Sequence, residues 1–472
     1  MTERGVTGRS VTDEAVGAHS DAAVHGSATT GLRVSGPDEA FLLAEEKLGF
    51  RTPIQFCWVL DDDPGLEAIE RYAESLSTGL LHRAISRRRF PAARRRWVSS
   101  RVQPRIIVGA RIDDAEIGAW ADNLLRSADL RPAQGLGWRV HTTTTTRGRR
   151  VVVLLLSHLI ADGEAIMRAL VAAADGETTA LADPDTARGA RALAEDARDS
   201  ARQIRSAARS VRAVARDARQ RRRERREGTA PVVPNRPPSP PPTYDPYRAT
   251  LAIVDVDRDL WHAQARQYGG TGNTLFTALV CGLVRRSGYP VGDQMRVSVA
   301  VSKRGGPEDL RANASGGIWL RVGEPQESPA DLDYLRGLSR QAFAEYAKTG
   351  TDVPDDLQSL VRLMPRRVLT TALRSVPAPD VSVSNLGVLD DRVRTIAGVP
   401  ASSFVLRLMV QDTAGEDVAM PGPGLSAWIV EYGSTVTLSF AAFSPEYYGD
   451  EDHLAKLLSA ELSAWGLDHR FW

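Results

Sequence analysis

Residues 151 to 156 read Val-Val-Val-Leu-Leu-Leu and run directly into Ser157 and His158. A run of branched apolar residues this short cannot cross a bilayer, and it does not alternate between apolar and polar. It therefore predicts a strand buried on both faces. The following Gly-Glu-Ala-Ile-Met-Arg-Ala-Leu has helical spacing, with Ile166, Leu170 and Val171 able to share one face. Asp162 then falls at a helix N-terminus, where a carboxylate accepts from free backbone N–H groups. The local plan is strand, tight turn, helix, with His158 just past the strand's C-terminal end.

Histidine is the side chain best matched to proton transfer near neutral pH, and a turn after a buried strand holds one rigidly. Spacing alone leaves two readings open. His158 is a general base, or it is a histidine satisfying backbone groups at a strand end with Asp162 as a mere cap.

The segment SHLIADG resembles the HHxxxDG signature of chloramphenicol-acetyltransferase-like enzymes, which include condensation domains, plant acyltransferases and bacterial wax ester synthase/diacylglycerol acyltransferases. Ser157 stands where the first His is usual. The resemblance implies that His158 is the base, that Asp162 points away from substrate and holds the loop through an arginine, and that Gly163 leaves room beside the histidine. Further segments favour the wax ester synthase/diacylglycerol acyltransferase branch. GPDEAFLLAEEKLGFRTPIQFCWVLDD (36 to 62) is similar to that family's opening "SPLDAxFLxxE" and the strand after it. YGGTGNTLFTALVCGLVRR (268 to 286) resembles "GGTVNDVVLAAVAGALRR", with Asn273 on the family's Asn and Thr274 where Asp is usual. RVSVAVSKRG (296 to 305) and Asn313 resemble "RAMVPVSVR" and its downstream Asn, and VSVSNLG (381 to 387) resembles the "SNVPGP" strand end. Trp138 resembles the tryptophan of the family's "PLW" segment without its Pro-Leu.

Each segment also has a plain structural reading. Asn273 or Thr274 could be only a helix N-cap. RVSVAV and VSVSN alternate as half-buried strands do, and Ser384 and Asn385 either line a cleft or close a turn. His262 and His82 read as surface residues of helical stretches.

The remaining elements read as follows. Strand 53 to 60, helix 64 to 84, strands within 96 to 108, helix 113 to 125, and strands 138 to 146 and 149 to 157 make up the first half. Strand 250 to 256, helices 258 to 268 and 273 to 286, strand 295 to 302, a helix-rich region 328 to 376, strands near 380, 405, 426 and 436, and helix 450 to 465 make up the second. This mixture fits two α/β sandwich domains better than a solenoid or a bundle. The resemblance implies two chloramphenicol-acetyltransferase-like α/β domains with the active site in a channel between them. The expected division is a disordered tail over 1 to 36, an acyltransferase-like half over 37 to 185, a linker over 186 to 245 and a second half over 246 to 472.

Net charge is only +1, yet Thr186 to Glu227 carries 14 arginines against 6 acidic residues. Arg198, Arg202, Arg205, Arg209, Arg212, Arg216, Arg219 and Arg223 repeat at steps of four and three, along one helical face. Leu193, Ile204, Val211 and Val214 suggest a weaker apolar face. A proline-rich stretch (230 to 246) follows, which cannot be helical and reads as extended connecting chain. The helix (191 to 226) is a solvated face or a peripheral contact for an anionic membrane surface or an acidic carrier protein. No base-stacking aromatics interleave the arginines, so nucleic acid is not expected.

Cys57 and Cys281 lie in apolar surroundings and read as buried free thiols of a reducing compartment. No residue cluster has metal-ligand spacing, no P-loop appears and no signal peptide marks the start. The expected location is cytoplasmic, with peripheral contact at the inner membrane surface left open.

The reading that follows is an acyltransferase that moves an acyl group from acyl-CoA to a hydroxyl such as that of a long-chain alcohol or diacylglycerol. It needs no cofactor beyond the thioester co-substrate, and no covalent acyl-enzyme. Oxyanion or channel groups are sought near Asn273, Ser302, Ser384, Asn385 and Trp138. A condensation-type enzyme with a carrier-bound donor, forming an ester or amide, and a non-catalytic binding protein remain the alternatives.

Overall fold

The computed structural model describes residues 32–87, 89–179, 181–185, 189–226, 245, 249–323, 328–349, 355–374, 378–412 and 422–472. Most of the expected N-terminal tail and nearly all of the proline-rich stretch lie outside the described residues. Within the expected tail, Val34 is already core, and Arg33 bridges to Arg96.

Helix α1 (Gly36–Leu43) begins at Ser35, whose backbone N–H and hydroxyl both bond Asp38. It was not foreseen, because Gly-Pro reads as loop; at the first helical positions proline costs nothing, since those N–H groups have no intrahelical partner. The first sheet contains β1 (Pro53–Leu60), β2 (Ile106–Val108), β3 (Trp138–Thr144) and β4 (Arg150–Ser157). Its fifth strand, β9 (Ser403–Leu408), comes from the second half of the chain, giving the order β9-β1-β4-β3-β2. β4 is central, antiparallel to β1 and β3, and all eight of its residues are buried.

Helices α2 (Leu66–Ser77), α3 (Ile117–Arg126) and α4 (Gly163–Ala174) bury Ile69, Leu76, Ala121, Leu125, Ile166 and Leu170 in the same core. α2 is shorter than the 64 to 84 expected, and the chain beyond Ser77 turns so that His82 is buried edge-on to Trp138.

The second sheet has the order β7-β6-β8-β10-β11-β5-β12, from β5 (Thr250–Asp257), β6 (Met295–Ser302), β7 (Ser315–Val322), β8 (Val381–Val388), β10 (Leu425–Tyr432), β11 (Thr435–Ala442) and β12 (His469–Phe471). β7 and β12 were not anticipated. Helix α6 (Arg258–Gln267) follows β5, and α7 (Gly272–Arg286) is buried along nearly its whole length against one face of this sheet. Cys57 and Cys281 are buried, one in each core, and burial pushes both thiols up to about 12.

The other face of the second sheet divides. At β10, β11 and β5 the residues Trp428, Val430, Tyr432, Ala441, Leu251 and Ile253 join the first core. At β8, β6 and β7 the same face carries Ser382, Ser384, Ser298, Ala300, Ser302, Gly317 and Trp319, which are partly or fully exposed. The two sheets thus close on each other along one side and part along the other.

Helix α5 (Ala190–Arg226) corrects the expected amphipathic reading. Its packed face is Ala192, Asp196, Asp199, Ser206, Ala207 and Ser210, whereas Leu193, Ile204, Val211 and Val214 are each about half exposed. Asp196 and Asp199 decide this orientation, because they pair with Arg33, Arg94 and Arg96. Helices α8 (Asp333–Thr349), α9 (Asp355–Leu363) and α10 (Arg366–Arg374) fill the region expected to be helix-rich. Gln203 of α5 accepts from Ser359 and Arg362 of α9. The chain closes with α11 (Glu451–Ala464).

Candidate active site

β4 ends at Ser157, paired with Pro53, and the chain turns through His158 to α4. Backbone bonds fix this turn: Ser157 N–H donates to Gly137, His158 N–H to Thr52 and Asp162 N–H to Ala312. Ser157 is buried, and its hydroxyl accepts from the Leu159 N–H at 3.3 Å.

Asp162 is the N-cap of α4. One carboxylate oxygen accepts from Ala165 N–H at 2.9 Å and from Arg304 at 2.7 Å; the other accepts from Ala314 N–H at 2.7 Å and Ser315 hydroxyl at 2.9 Å. Burial opposes the charged form, but the backbone donors and Arg304 outweigh it and hold the carboxyl below its usual range. Arg304 follows β6 and is itself only 2 % exposed, so this buried pair joins the turn of the first sheet to the strand end of the second. Nothing local to Asp162 names this arginine, which lies 142 residues away.

Around the imidazole, three side chains were not picked out as site residues. Phe41 of α1 stacks on the ring, centroids 4.1 Å apart and planes 18° from parallel. Asn313 Oδ1 lies 2.9 Å from His158 Nδ1. Asp38 of α1 bonds the Asn313 side chain at 3.1 Å and its backbone N–H at 2.8 Å. The Asn313 amide also donates to Leu159 C=O at 3.2 Å. Burial draws the imidazole below its ordinary value, partly opposed by its own backbone, Asp162, Asn313 and Asp38. It is therefore neutral, and able to accept a proton, at neutral pH.

The other candidates fall in three separate places. Leu386 of β8 approaches the motif, since a Cβ on Gly163 would lie 3.2 Å from its Cδ2. Its neighbour Asn385 donates to Asn273 on the first turn of α7 at 3.3 Å. The N-cap there is Thr271, with Thr274 closing a capping box, so neither Asn273 nor Thr274 is the cap. Ser302 and Ser384 sit on the open sheet face, Ser302 accepting from Arg304 N–H at 3.2 Å. Trp138 is packed in the first core at 2 % exposure, bonded to none of these groups.

The arrangement is a neutral, buried imidazole at the end of β4, on the side where the two mixed sheets part. No family model and no curated protein matches the sequence. Solved structures do match in shape. The condensation domain of the monacolin K polyketide synthase aligns over 92% of this chain and 96% of its own, with TM-score 0.54 and 13% identity. The chain has the condensation-domain fold. The first condensation domain of the CDA synthetase covers 93% of this chain and 97% of its own (TM-score 0.56, 14% identity), and the wax ester synthase/diacylglycerol acyltransferase of Marinobacter aquaeolei covers 92% and 100% (TM-score 0.53, 12% identity). These likenesses fix the condensation-type architecture of two α/β halves.

Proposed function

We propose that this condensation-type protein is an acyltransferase with His158 as its general base. Nε2 of His158 takes the proton of an acceptor hydroxyl while the oxygen attacks the carbonyl carbon of an acyl thioester. The new C–O bond forms, the C–S bond breaks, and the proton passes on to the departing thiolate. No acyl-enzyme is needed. Asn273, Ser302, Ser384 and Asn385 are the polar groups from which oxyanion donors would be drawn. The observation that carries this reading is the neutral, stacked imidazole, bonded through Nδ1, at the end of a strand buried on both faces.

The donor we favour is acyl-CoA and the acceptor a long-chain alcohol or diacylglycerol. A carrier-bound donor is the second reading, favoured by Arg198, Arg202, Arg205, Arg212 and Arg216 on the exposed side of α5, which suit an acidic carrier. The same face suits an anionic membrane surface, and no helix among the described residues is long and apolar enough to span one.

The test is release of free thiol from acyl-CoA of graded chain length with these acceptors, wild type against His158→Ala. The variant is expected to lose roughly 10²- to 10⁴-fold in rate. Thiol release only from carrier-bound donors selects the second reading. Absence of turnover with every thioester leaves a binding protein that keeps the fold.

A further inference from the structure

Asp38 and Asn313 form a chain that ends on His158, and its chemistry admits one direction only. The Asn313 side-chain nitrogen lies 3.1 Å from Asp38 Oδ1 and 3.2 Å from Leu159 C=O. Carboxylates and carbonyls only accept, so this end of the amide is the NH₂ donor and the other end is the oxygen. The atom 2.9 Å from His158 Nδ1 is therefore an acceptor, and Nδ1 must carry the hydrogen. A neutral imidazole with its hydrogen on Nδ1 presents a bare lone pair at Nε2.

The anchor of this chain is firm. Asp38 is fully buried, and its second oxygen accepts from Ser35 N–H at 2.9 Å, Ser35 hydroxyl at 2.8 Å and Trp97 Nε1 at 3.2 Å. Its neighbour Glu39 pairs with buried Arg362 of α9, which ties the helix down from the other side. Phe41 stands one helical turn beyond Asp38 and stacks on the same imidazole. One turn of α1 thus touches His158 twice, directly through Phe41 and through Asn313 from Asp38.

We infer that Asp38, acting through Asn313, is a positioning residue that fixes the Nδ1–H tautomer of His158, and that α1 exists at this place to aim the base. The inference deepens the acyltransfer reading and depends on it for its rate consequence, but the tautomer is independent of turnover. Neither Asp38 nor Asn313 touches substrate in this scheme, so their loss lowers kcat and leaves KM unchanged. Partners that orient a functional histidine from behind are worth roughly 10- to 100-fold in activity.

The experiment is ¹⁵N NMR of the full chain labelled at histidine, with His158 assigned by its disappearance in His158→Gln, alongside kcat and KM. Wild type is expected to show protonated Nδ1 and bare Nε2. Asn313→Ala removes the acceptor but leaves the Asp38 bonds to Ser35 and Trp97; Asp38→Asn removes the charge that orients the amide. Each is expected to move His158 toward the Nε2–H tautomer and to lower kcat, with thermal unfolding showing that the chain remains folded. Asn313→Ala decides the matter where Asp38→Asn fails to fold. An Nε2–H wild type, or an unchanged His158 spectrum in folded Asn313→Ala, overturns the inference. A wild type that releases no thiol while showing the Nδ1–H form overturns the acyltransfer reading and leaves the tautomer assignment standing.

Discussion

β4 and β6 both lead the chain into the site, yet they are built to different rules. β4 reads RVVVLLLS and is buried at all eight positions, between antiparallel neighbours and under packed layers on both faces. β6 reads MRVSVAVS and buries Met295, Val297 and Val299 against α7, while Ala300 and Ser302 on its other face are exposed. The first strand ends one residue before His158, the second two residues before Arg304. One holds a reacting group still; the other leaves an open wall for something to lie against. The site needs both properties, and the chain obtains them from strands of the same length that differ only in periodicity.

The strongest way to break this pairing is to cut the link between the two strand ends. Arg304→Ala leaves Asp162 buried without its cation, at a cost of about 3–5 kcal/mol. Urea unfolding should show that loss, and thiol release should fall with it because the turn carrying His158 loosens. Combined with Asp162→Asn the loss should be far less than additive, since both substitutions remove one interaction. Additive losses would mean that Arg304 and Asp162 act separately.

The contrast itself is sharpened by matched substitutions within the strands. Leu155→Ala on β4 creates a cavity in a closed layer and should cost about 2–5 kcal/mol. Ser298→Ala on the open side of β6 should stay within about 0.5 kcal/mol in the same unfolding assay. Equal costs would show that the β6 face is closed in solution.

These expectations bear on what the sequence could disclose. β4, its turn and α4 were legible because a strand buried on both faces, a cap and a helical stripe are all local patterns. Arg304 was not, because it meets Asp162 across 142 residues and resembles every other arginine of an arginine-rich chain. Asp38 and Asn313 meet across 275 residues, and although Asn313 was matched to a family asparagine, nothing local pairs it with Asp38. The Ser-Gly-Gly start of β7 hid a strand, because glycine is poor in strands and the exposed Trp319 gave no clean alternation. α5 misled for another reason. Its periodicity placed Leu193, Ile204 and Val211 on one stripe correctly, but the side that packs was chosen by Asp196 and Asp199 meeting Arg33, Arg94 and Arg96. Local hydrophobicity cannot foresee ion pairs with distant chain.

A smaller effect probes where the two strand ends come closest to a third. Gly163→Ala puts a methyl 3.2 Å from Leu386 Cδ2, which a leucine can relieve by a shift of a few tenths of an ångström. The expected stability cost is about 1 kcal/mol. Thiol release should respond more than stability does, because Gly163 begins the helix that follows the His158 turn. An unchanged rate would detach β8 from the site.

The least effect, and the most specific to the closed end of β4, lies in pH. Burial first of all holds His158 below its ordinary value, against its own backbone, Asp162, Asn313 and Asp38. In the unfolded chain the same ring titrates near the usual value of about 6.5. Below that pH the unfolded chain binds a proton that the folded protein refuses, so the unfolded state gains. The contribution of His158 is therefore complete above about pH 6.5 and is lost as pH falls through the depressed folded value. His82 and His141 are lowered by burial as well, His141 to about 4, but both remain in a His158→Gln variant and cancel in the difference. Unfolding free energies measured from neutral to mildly acidic pH should fall more steeply for wild type than for His158→Gln. Parallel curves would mean that water reaches the imidazole at the end of β4 as freely as it reaches the open face of β6, and the distinction between the two strands would fail at the one residue where the chemistry depends on it.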